Sequence, residues 1–457
     1  MGGGLKYCIT VMCLSALGAC TAVGPDFVKP QVELPPGWSD IGQHGLEASP
    51  INQPHWWKVF SDPVLDRLVE TAWAQNNSLE IAGLRVLEAR AQLGIAQGKQ
   101  YPQSQLAAGS STYTSPADNF GGGPDYWQHA IGLSAAWEID FWGRFRRGIE
   151  SADAAYLASI EARNQAMILL TAQVVSTYTL IRINEEQLRI ARENVVLQQR
   201  SYEIASVLYR NGADSELDMQ QAYTLLLSTQ ATIPGYEVAL QQARNAMNTL
   251  LGEAPDRTAA YLDNEGNIPT LPSQIEVGIP ADLLRRRPDV RQAELNALAQ
   301  NALVGLAEAD LYPSFSLTGS LGLVAGGPGD SDFGDLFSSD ALTFSIGPSF
   351  VWPFLNYGRI RNNIRVQDAR LQQALVNYRE TVIQAAREAE DAMVALGGSE
   401  AQKVILEETV KSATRSSELS TLRYKEGFSD YQRVLDSQKS LFAQQQGLVS
   451  LRGASVL

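Results

Sequence analysis

From Ala130 to Asp140 the chain alternates without a break. Ile131, Leu133, Ala135, Trp137, Ile139 and Phe141 fall on one face, and Ala130, Gly132, Ser134, Ala136, Glu138 and Asp140 on the other. A period of two predicts a strand. The pattern returns at 342–354, where Leu342, Phe344, Ile346, Pro348, Phe350, Trp352 and Phe354 alternate with Thr343, Ser345, Gly347, Ser349, Val351 and Pro353. Just before it, Phe315, Leu317, Leu321 and Leu323 alternate with Ser314, Ser316, Ser320 and Gly322, and a fourth, more polar run lies around Ser104 to Tyr113. Strands of roughly ten residues with one apolar and one small polar face suit a transmembrane β-barrel. A soluble β-sandwich shows the same alternation. Tyr126, Trp127, Trp137 and Trp352, near the strand ends, fit the aromatic girdles of a membrane interface. Four strands are too few for a barrel, and an open edge in lipid leaves backbone groups with no partner. Strands of this kind in a bilayer require several copies to share one wall.

Elsewhere the pattern is helical. From Ile149 to Asn211 there are 63 residues with neither Gly nor Pro, which as one helix would reach roughly 95 Å. Ala, Gln, Leu, Glu and Arg dominate it, and Glu185–Arg189 and Arg189–Glu193 have i,i+4 spacing. Its apolar stripe is narrow and interrupted, as expected of helices side by side in a tube wetted on both faces. A coiled-coil hairpin is the alternative. A second long run is Pro-free from Phe354 onward, with a break expected at Gly397-Gly398. Each long helix is expected to stop at a Gly-centred turn, Leu208-Tyr209-Arg210-Asn211-Gly212 and Arg423-Tyr424-Lys425-Glu426-Gly427. Gly fits the left-handed residue that ends a helix, and an Asp or Ser beyond it would cap the next.

The chain is written twice. At a shift of 211, Ala82, Leu84, Leu87, Ala91, Gly94, Tyr101-Pro102 and Leu106 meet Ala293, Leu295, Leu298, Ala302, Gly305, Tyr312-Pro313 and Leu317. At a shift of 215, Gly143-Arg144, Tyr209 and Gly212 meet Gly358-Arg359, Tyr424 and Gly427. Six prolines in 22–55 and five in 253–290 mark extended linkers. The expected organisation is a signal peptide over 1–19 and a lipid-anchored extended segment over 20–55. A first repeat of helix, two strands and long helical hairpin follows over 56–252. A linker over 253–280 leads to a second repeat over 281–457, about a dozen residues shorter than the first by the repeat rule.

Composition narrows the function. A formal charge of −14 argues against nucleic acid, whose phosphates need a basic face. Beyond the N-terminus there is no unbroken run of 18 apolar residues, so no mature transmembrane helix is expected. Lys6 and the short apolar run Ile9 to Leu17 read as a signal peptide. Leu17-Gly18-Ala19-Cys20 resembles a bacterial lipobox, with cleavage before Cys20 and a diacylglycerol on its thiol. Thr21 after it implies sorting to the outer membrane. With Cys8 and Cys13 removed, the mature chain would form no internal disulfide. His44, His55 and His129 show no ligand spacing, and neither an H-E-x-x-H nor a G-x-S-x-G motif occurs, so no enzyme and no metal site is expected.

Several motifs are specific. They are Cys20 with Gly24-Pro25-Asp26-Phe27 and Pro30, then Trp56-Trp57 with Phe60 and Asp62-Pro63. Pro280-Ala281-Asp282-Leu283-Leu284-Arg285-Arg286-Arg287-Pro288-Asp289-Val290 and Gly427-Phe428-Ser429-Asp430-Tyr431-Gln432-Arg433-Val434-Leu435-Asp436 follow. In these the chain resembles the TolC-type outer-membrane efflux factors, in the NodT-like lipoprotein branch that serves resistance-nodulation-division pumps. The resemblance implies a mainly α protomer that adds four strands to a trimeric twelve-stranded barrel and four helices to a periplasmic tunnel. It implies a passive duct with no cofactor beyond the lipid on Cys20. The implied partners are two further copies, a periplasmic adaptor and an inner-membrane resistance-nodulation-division transporter. A type I secretion duct and a non-conducting, adaptor-like lipoprotein are the alternatives. The resemblance also places Gly212, Gly427, Tyr209 and Tyr424 at the periplasmic tips that dock the adaptor. Asp214, Asp218, Asp430 and Asp436 become candidates for an acidic ring at the pore entrance, where threefold repetition would raise a carboxyl pKa. Capping is the alternative for Asp214 and Asp430. Arg433, where some relatives carry an acid, is expected to pair with a neighbouring Asp and help hold the entrance shut.

Overall fold

The structure, a computed structural model, describes residues 22–33, 37–38, 46–48, 55–116, 123–255, 257, 262, 266–272, 275–277, 286–328 and 332–456. In chain order the elements are β1 (Leu46–Ala48), α1 (Pro63–Gln75), α2 (Asn77–Gly98), β2 (Ser104–Thr114), β3 (Tyr126–Ile139), α3 (Arg144–Arg210), α4 (Glu216–Gln230) and α5 (Ile233–Leu250). Then come β4 (Ile275–Val277), α6 (Pro288–Ala309), β5 (Ser314–Ala325), β6 (Leu342–Val351), α7 (Arg359–Lys425) and α8 (Tyr431–Ala454). The duplication is visible in the bounds: α2 and α6 have 22 residues each, and α3 and α7 have 67 each. A straight helix of that length reaches about 100 Å.

The chain divides into two compact units. The first holds the antiparallel sheet β2-β3-β5-β6, whose outer edges, β2 and β6, pair with no other strand among the described residues. Directly opposed residues share a face. Ile131–Leu323, Leu133–Leu321 and Trp137–Leu317 continue into Leu323–Leu342, Leu321–Phe344 and Phe315–Phe350, making one apolar face. Ser134–Ser320 and Ser320–Ser345 belong to the small polar face. The large side chains of the apolar face, Leu133, Leu321, Phe344, Ile346 and Phe350 among them, are exposed in the protomer. At the strand bases Trp137 donates its indole N–H to the Gln100 carbonyl and Trp352 donates to that of Leu311, each at 3.0 Å.

The second unit is held by a core in which α1 buries Leu65, Leu68, Val69 and Ala72 against Val174, Val175, Tyr178 and Ile181 of α3 and Met247 of α5. The Asp62-Pro63 motif begins α1. One carboxylate oxygen of Asp62 accepts from the Val64 and Leu65 N–H groups at 2.8 and 3.2 Å. The other accepts the Tyr178 hydroxyl at 2.6 Å, and burial together with that bond pushes the Tyr178 pKa up to about 12. Trp57 is buried edge-on to Trp73, ring centres 4.8 Å apart. The short β1 pairs in parallel with β4.

Three expectations change. Helix α7 runs through Gly397-Gly398 without a break. Each Gly costs about 1 kcal/mol relative to Ala, and dozens of hydrogen-bonded residues on both sides hold the turn. The hydroxyl of Ser399 also bonds the Ala395 carbonyl one turn back at 2.8 Å. In the first repeat the returning helix is interrupted at Ala231–Thr232, because Pro234 opens α5 and has no N–H for a continuing ladder. The third change is in register. Leu106 stands opposite Ser134, on the polar face, whereas Leu317 stands opposite Trp137, on the apolar one. The repeat offset of 211 therefore fails inside the strand. Gln103 is the extra residue, and its side-chain amide takes the place of a ladder peptide, accepting from the Glu138 N–H at 2.7 Å and donating to the Glu138 carbonyl at 3.2 Å.

An unbroken count of apolar residues also understates α3. That helix holds a stretch long and apolar enough by composition to cross a bilayer, but half of it is buried within the fold.

Candidate functional site

The two Gly turns are built alike. After α3 the Ala213 N–H bonds the Leu208 carbonyl at 2.9 Å and the Gly212 N–H bonds that of Tyr209 at 2.9 Å. After α7 the Phe428 N–H bonds the Arg423 carbonyl at 2.9 Å and the Gly427 N–H bonds that of Tyr424 at 3.0 Å. Both are Schellman closures. Gly212 and Gly427 have φ of 72° and 76°, and a Cβ on either would meet nothing within 4 Å. The left-handed backbone, not space, requires glycine there.

The side chains around the turns are not alike. Tyr424 is 3% exposed, packed with Tyr431, Val434, Leu435, Ala205, Ala222 and Leu225. Tyr209 is 38% exposed. The Tyr424 hydroxyl donates to a carboxylate oxygen of Asp214, joining the end of α7 to the turn after α3. The other oxygen of Asp214 accepts the Ser215 N–H at 2.8 Å. Ser215, not Asp214, caps α4, accepting from the Asp218 N–H at 3.2 Å, and its hydroxyl donates to Asp218 at 2.9 Å. Asp430 occupies the cap position of α8 without a side-chain bond to the helix.

The charges divide accordingly. Burial raises the Asp214 pKa, but bonds from Tyr424, Asp218 and the Ser215 N–H outweigh it and hold the carboxyl low. Burial raises Asp218, and the neighbouring Asp214 and Asp430 push it further the same way. Burial and Asp214 raise Tyr424 well above the usual phenol range, so it remains a donor. Arg433 stands 4.0 Å from Asp430, both exposed, and Asp436 accepts from Gln432 at 3.0 Å.

A second constellation lies at the foot of the sheet. The Val23 N–H bonds the Trp142 carbonyl at 3.0 Å. The buried guanidinium of Arg147 donates to the carbonyls of Val23 and Gly24 at 3.1 Å each, and to Asp26 and Glu150 at 3.0 and 2.7 Å. Asn301 donates to the Pro25 carbonyl at 2.8 Å. Gly24, φ 94°, lies so close to Gly305 that a Cβ would strike the Gly305 backbone. This clasp explains the Gly-Pro-Asp motif in physical terms. Sequence reasoning missed Arg147, whose only signal is its place four residues after Gly143 at the start of a helix. Cys20, the Leu-Leu-Arg stretch before Arg286 and most of 253–285 lie outside the described residues. Among the described residues no group of three or more His, Cys, Asp or Glu side chains is placed to hold a metal ion.

Comparison with known proteins gives these features a family. The profile of the outer membrane efflux protein family matches residues 68–253 and again 279–456. The chain is 30% identical over 453 residues to the solvent efflux pump outer membrane protein SrpC of Pseudomonas putida, covering 97% of this chain and 94% of the relative. It is 29% identical over 449 residues to the probable outer membrane lipoprotein SilC of Salmonella typhimurium, covering 97% and 94%. Among solved structures, the outer-membrane channel OprN superposes with a TM-score of 0.87 at 30% identity, covering 95% of this chain and 97% of that one. With both repeats matched in sequence and nearly the whole chain matched in fold, the chain belongs to the outer membrane efflux protein family.

Proposed function

We propose that this outer-membrane efflux channel protein works as a homotrimer, a passive duct carrying small molecules from an inner-membrane pump to the exterior. The observation that carries the reading is the four-stranded sheet, which exposes an apolar face and leaves both edges unpaired among the described residues. Such a sheet is stable in lipid only when its edges are closed by further strands, and three copies give twelve. The helical part, wetted and charged, stands in the periplasm. Cys20 carries the lipid, in keeping with the lipobox and with the lipoprotein relative. The turns at Gly212 and Gly427, with Tyr209 and the exposed Phe428, form the periplasmic tips and receive a periplasmic adaptor, which connects the duct to a resistance-nodulation-division transporter.

Closure is the task of the Tyr424–Asp214 bond, which ties the two hairpins of one protomer together. Asp218 interacts with that pair and with Asp430, Arg433 and Asp436 lie on the helix that Asp430 begins, and threefold repetition would set their charges around the narrow entrance. Recording in planar bilayers tests the reading. The purified protein should insert and stay mostly closed, and Tyr424→Phe should open it to a stable conductance. A folded protein that remains monomeric in detergent and never conducts, with or without that substitution, refutes the proposal.

A further inference from the structure

The duplication carries a rule for how two copies meet. Element bounds coincide between repeats at an offset of 211 for α2 and α6, 215 for α3 and α7, and 210 for the starts of β2 and β5. The second strands then follow. Ser104 stands opposite Ala136 in the first ladder and Ser314 opposite Val351 in the second. Superposing Ser104 on Ser314 therefore superposes Ala136 on Val351, an offset of 215. This choice also keeps faces in agreement, since Ile131 and Ile346 both belong to the apolar face.

Inside one chain the repeats are joined by β3 against β5, with Ser134 opposite Ser320 and Ala135 opposite Gly319. The two free edges, β6 and β2, are the repeat equivalents of those joined strands. Moving the β3–β5 ladder forward by one repeat sends Ser134 to Ser349 and Ser320 to Ser110, and sends Ala135 to Phe350 and Gly319 to Gly109. Strand directions alternate across the four-stranded sheet, so a β2 added beyond β6 continues the antiparallel order.

Two further observations name a second copy as the occupant of the edge. On α6, Leu295, Leu298 and Leu306 are half-covered by their own chain, while the equivalent Leu84, Leu87 and Ile95 on α2 are exposed. The repeat junction is also marked by Trp142 stacked on Tyr312, ring centres 4.5 Å apart and 21° from parallel. Their equivalents are Tyr357, 97% exposed, and Tyr101, 69% exposed. Tyr357 also has φ of 49°, an uncommon conformation for a bulky residue that nothing in its own chain covers.

We infer that β6 of one copy pairs with β2 of the next in a single register, Ser349 opposite Ser110 and Phe350 opposite Gly109, with Tyr357 set beside Tyr101 of the next copy. This rests on the trimeric barrel and adds the register that closes it. The offset of 211 read from sequence alone would instead set Ser349 opposite Gly109, putting the apolar face of one copy against the polar face of the next. The register follows from where the insertion at Gln103 falls.

Cysteine cross-linking in the full-length protein in outer membranes tests it. Ser349→Cys with Ser110→Cys samples one face and Phe350→Cys with Gly109→Cys the other, which covers both the close and the wide pairs of an antiparallel ladder. The slipped combinations are Ser349→Cys with Gly109→Cys and Ser349→Cys with Ala108→Cys. Because a disulfide needs Cα atoms within about 7 Å, at least one in-register pair should link copies roughly ten-fold faster than either slipped pair. Faster linking by a slipped pair, or no linking by any pair in a protein that sizes as a trimer, overturns the register and leaves the barrel standing. A folded monomer by size, with no linking, overturns both.

Discussion

Tyr424 and Tyr209 occupy matching places before matching turns, yet only Tyr424 is buried and bonded. The cause lies one turn away in space. Tyr431 packs edge-on to Tyr424, ring centres 5.3 Å apart, and the position equivalent to Tyr431 in the first repeat is Glu216. The turns themselves were legible from their glycines, but the difference between them was not, because it depends on what a neighbouring helix start supplies. A hydrogen bond to a charged group contributes about 1.5–3 kcal/mol, less where the group is partly exposed, so Tyr424→Phe should open the channel in most recordings without unfolding the protein. The pH response has two arms. Asp214 has a lowered pKa, so its contribution to the closed turn is full above the ordinary carboxyl value and lost as pH falls through its lowered one. Asp218 has a raised pKa, so the closed turn binds its proton more readily and is favoured as pH falls through that raised value. Open probability should therefore dip in mild acid and rise below the ordinary carboxyl range. Asp218→Asn should remove the dip, and a dip that persists in that variant would assign it to another group.

Elements were read most securely where a pattern ran long. The 67-residue helix α3 was visible as a Gly- and Pro-free stretch, and the alternating strands appeared within a few residues of their observed ends. The misses have physical causes. Two adjacent glycines looked like a stop, but in α7 they sit deep inside a ladder that flanking residues hold. Gly398 is exposed there, and a Cβ on it would meet nothing within 4 Å. Gly398→Ala should accordingly raise stability by about 0.5–1 kcal/mol, seen as a higher unfolding temperature in detergent; a lower one would mean the helix breaks there after all. The strand β2 was read in the wrong register because Gln103 enters the ladder through its side chain, which leaves no trace in hydrophobic period. Gln103→Ala removes that substitute and leaves Glu138 backbone groups without these bonds, for a loss of about 1–2 kcal/mol on the same assay.

For the whole molecule, the expectation of several copies came from the count of strands, and the structure keeps that count at four in one sheet. On the proposed placing of the exposed carboxylates around the entrance, they should set ionic preference, so Asp436→Ala is expected to weaken cation selectivity, read as a smaller reversal potential in a salt gradient. Unchanged selectivity would move the constriction elsewhere. The clasp of Arg147, Gly24 and Gly305 has a mechanical corollary. Chain from Ala22 onward is fixed to the foot of the sheet, and only two residue steps separate it from Cys20, a leash of at most about 7 Å. On the proposed anchoring of that cysteine by acyl chains, the protein would have almost no slack with which to ride up or down. Its depth in the bilayer would be set twice, once by the aromatic belt and once by a tether cut to length, and lengthening the tether should free the second setting while leaving the first.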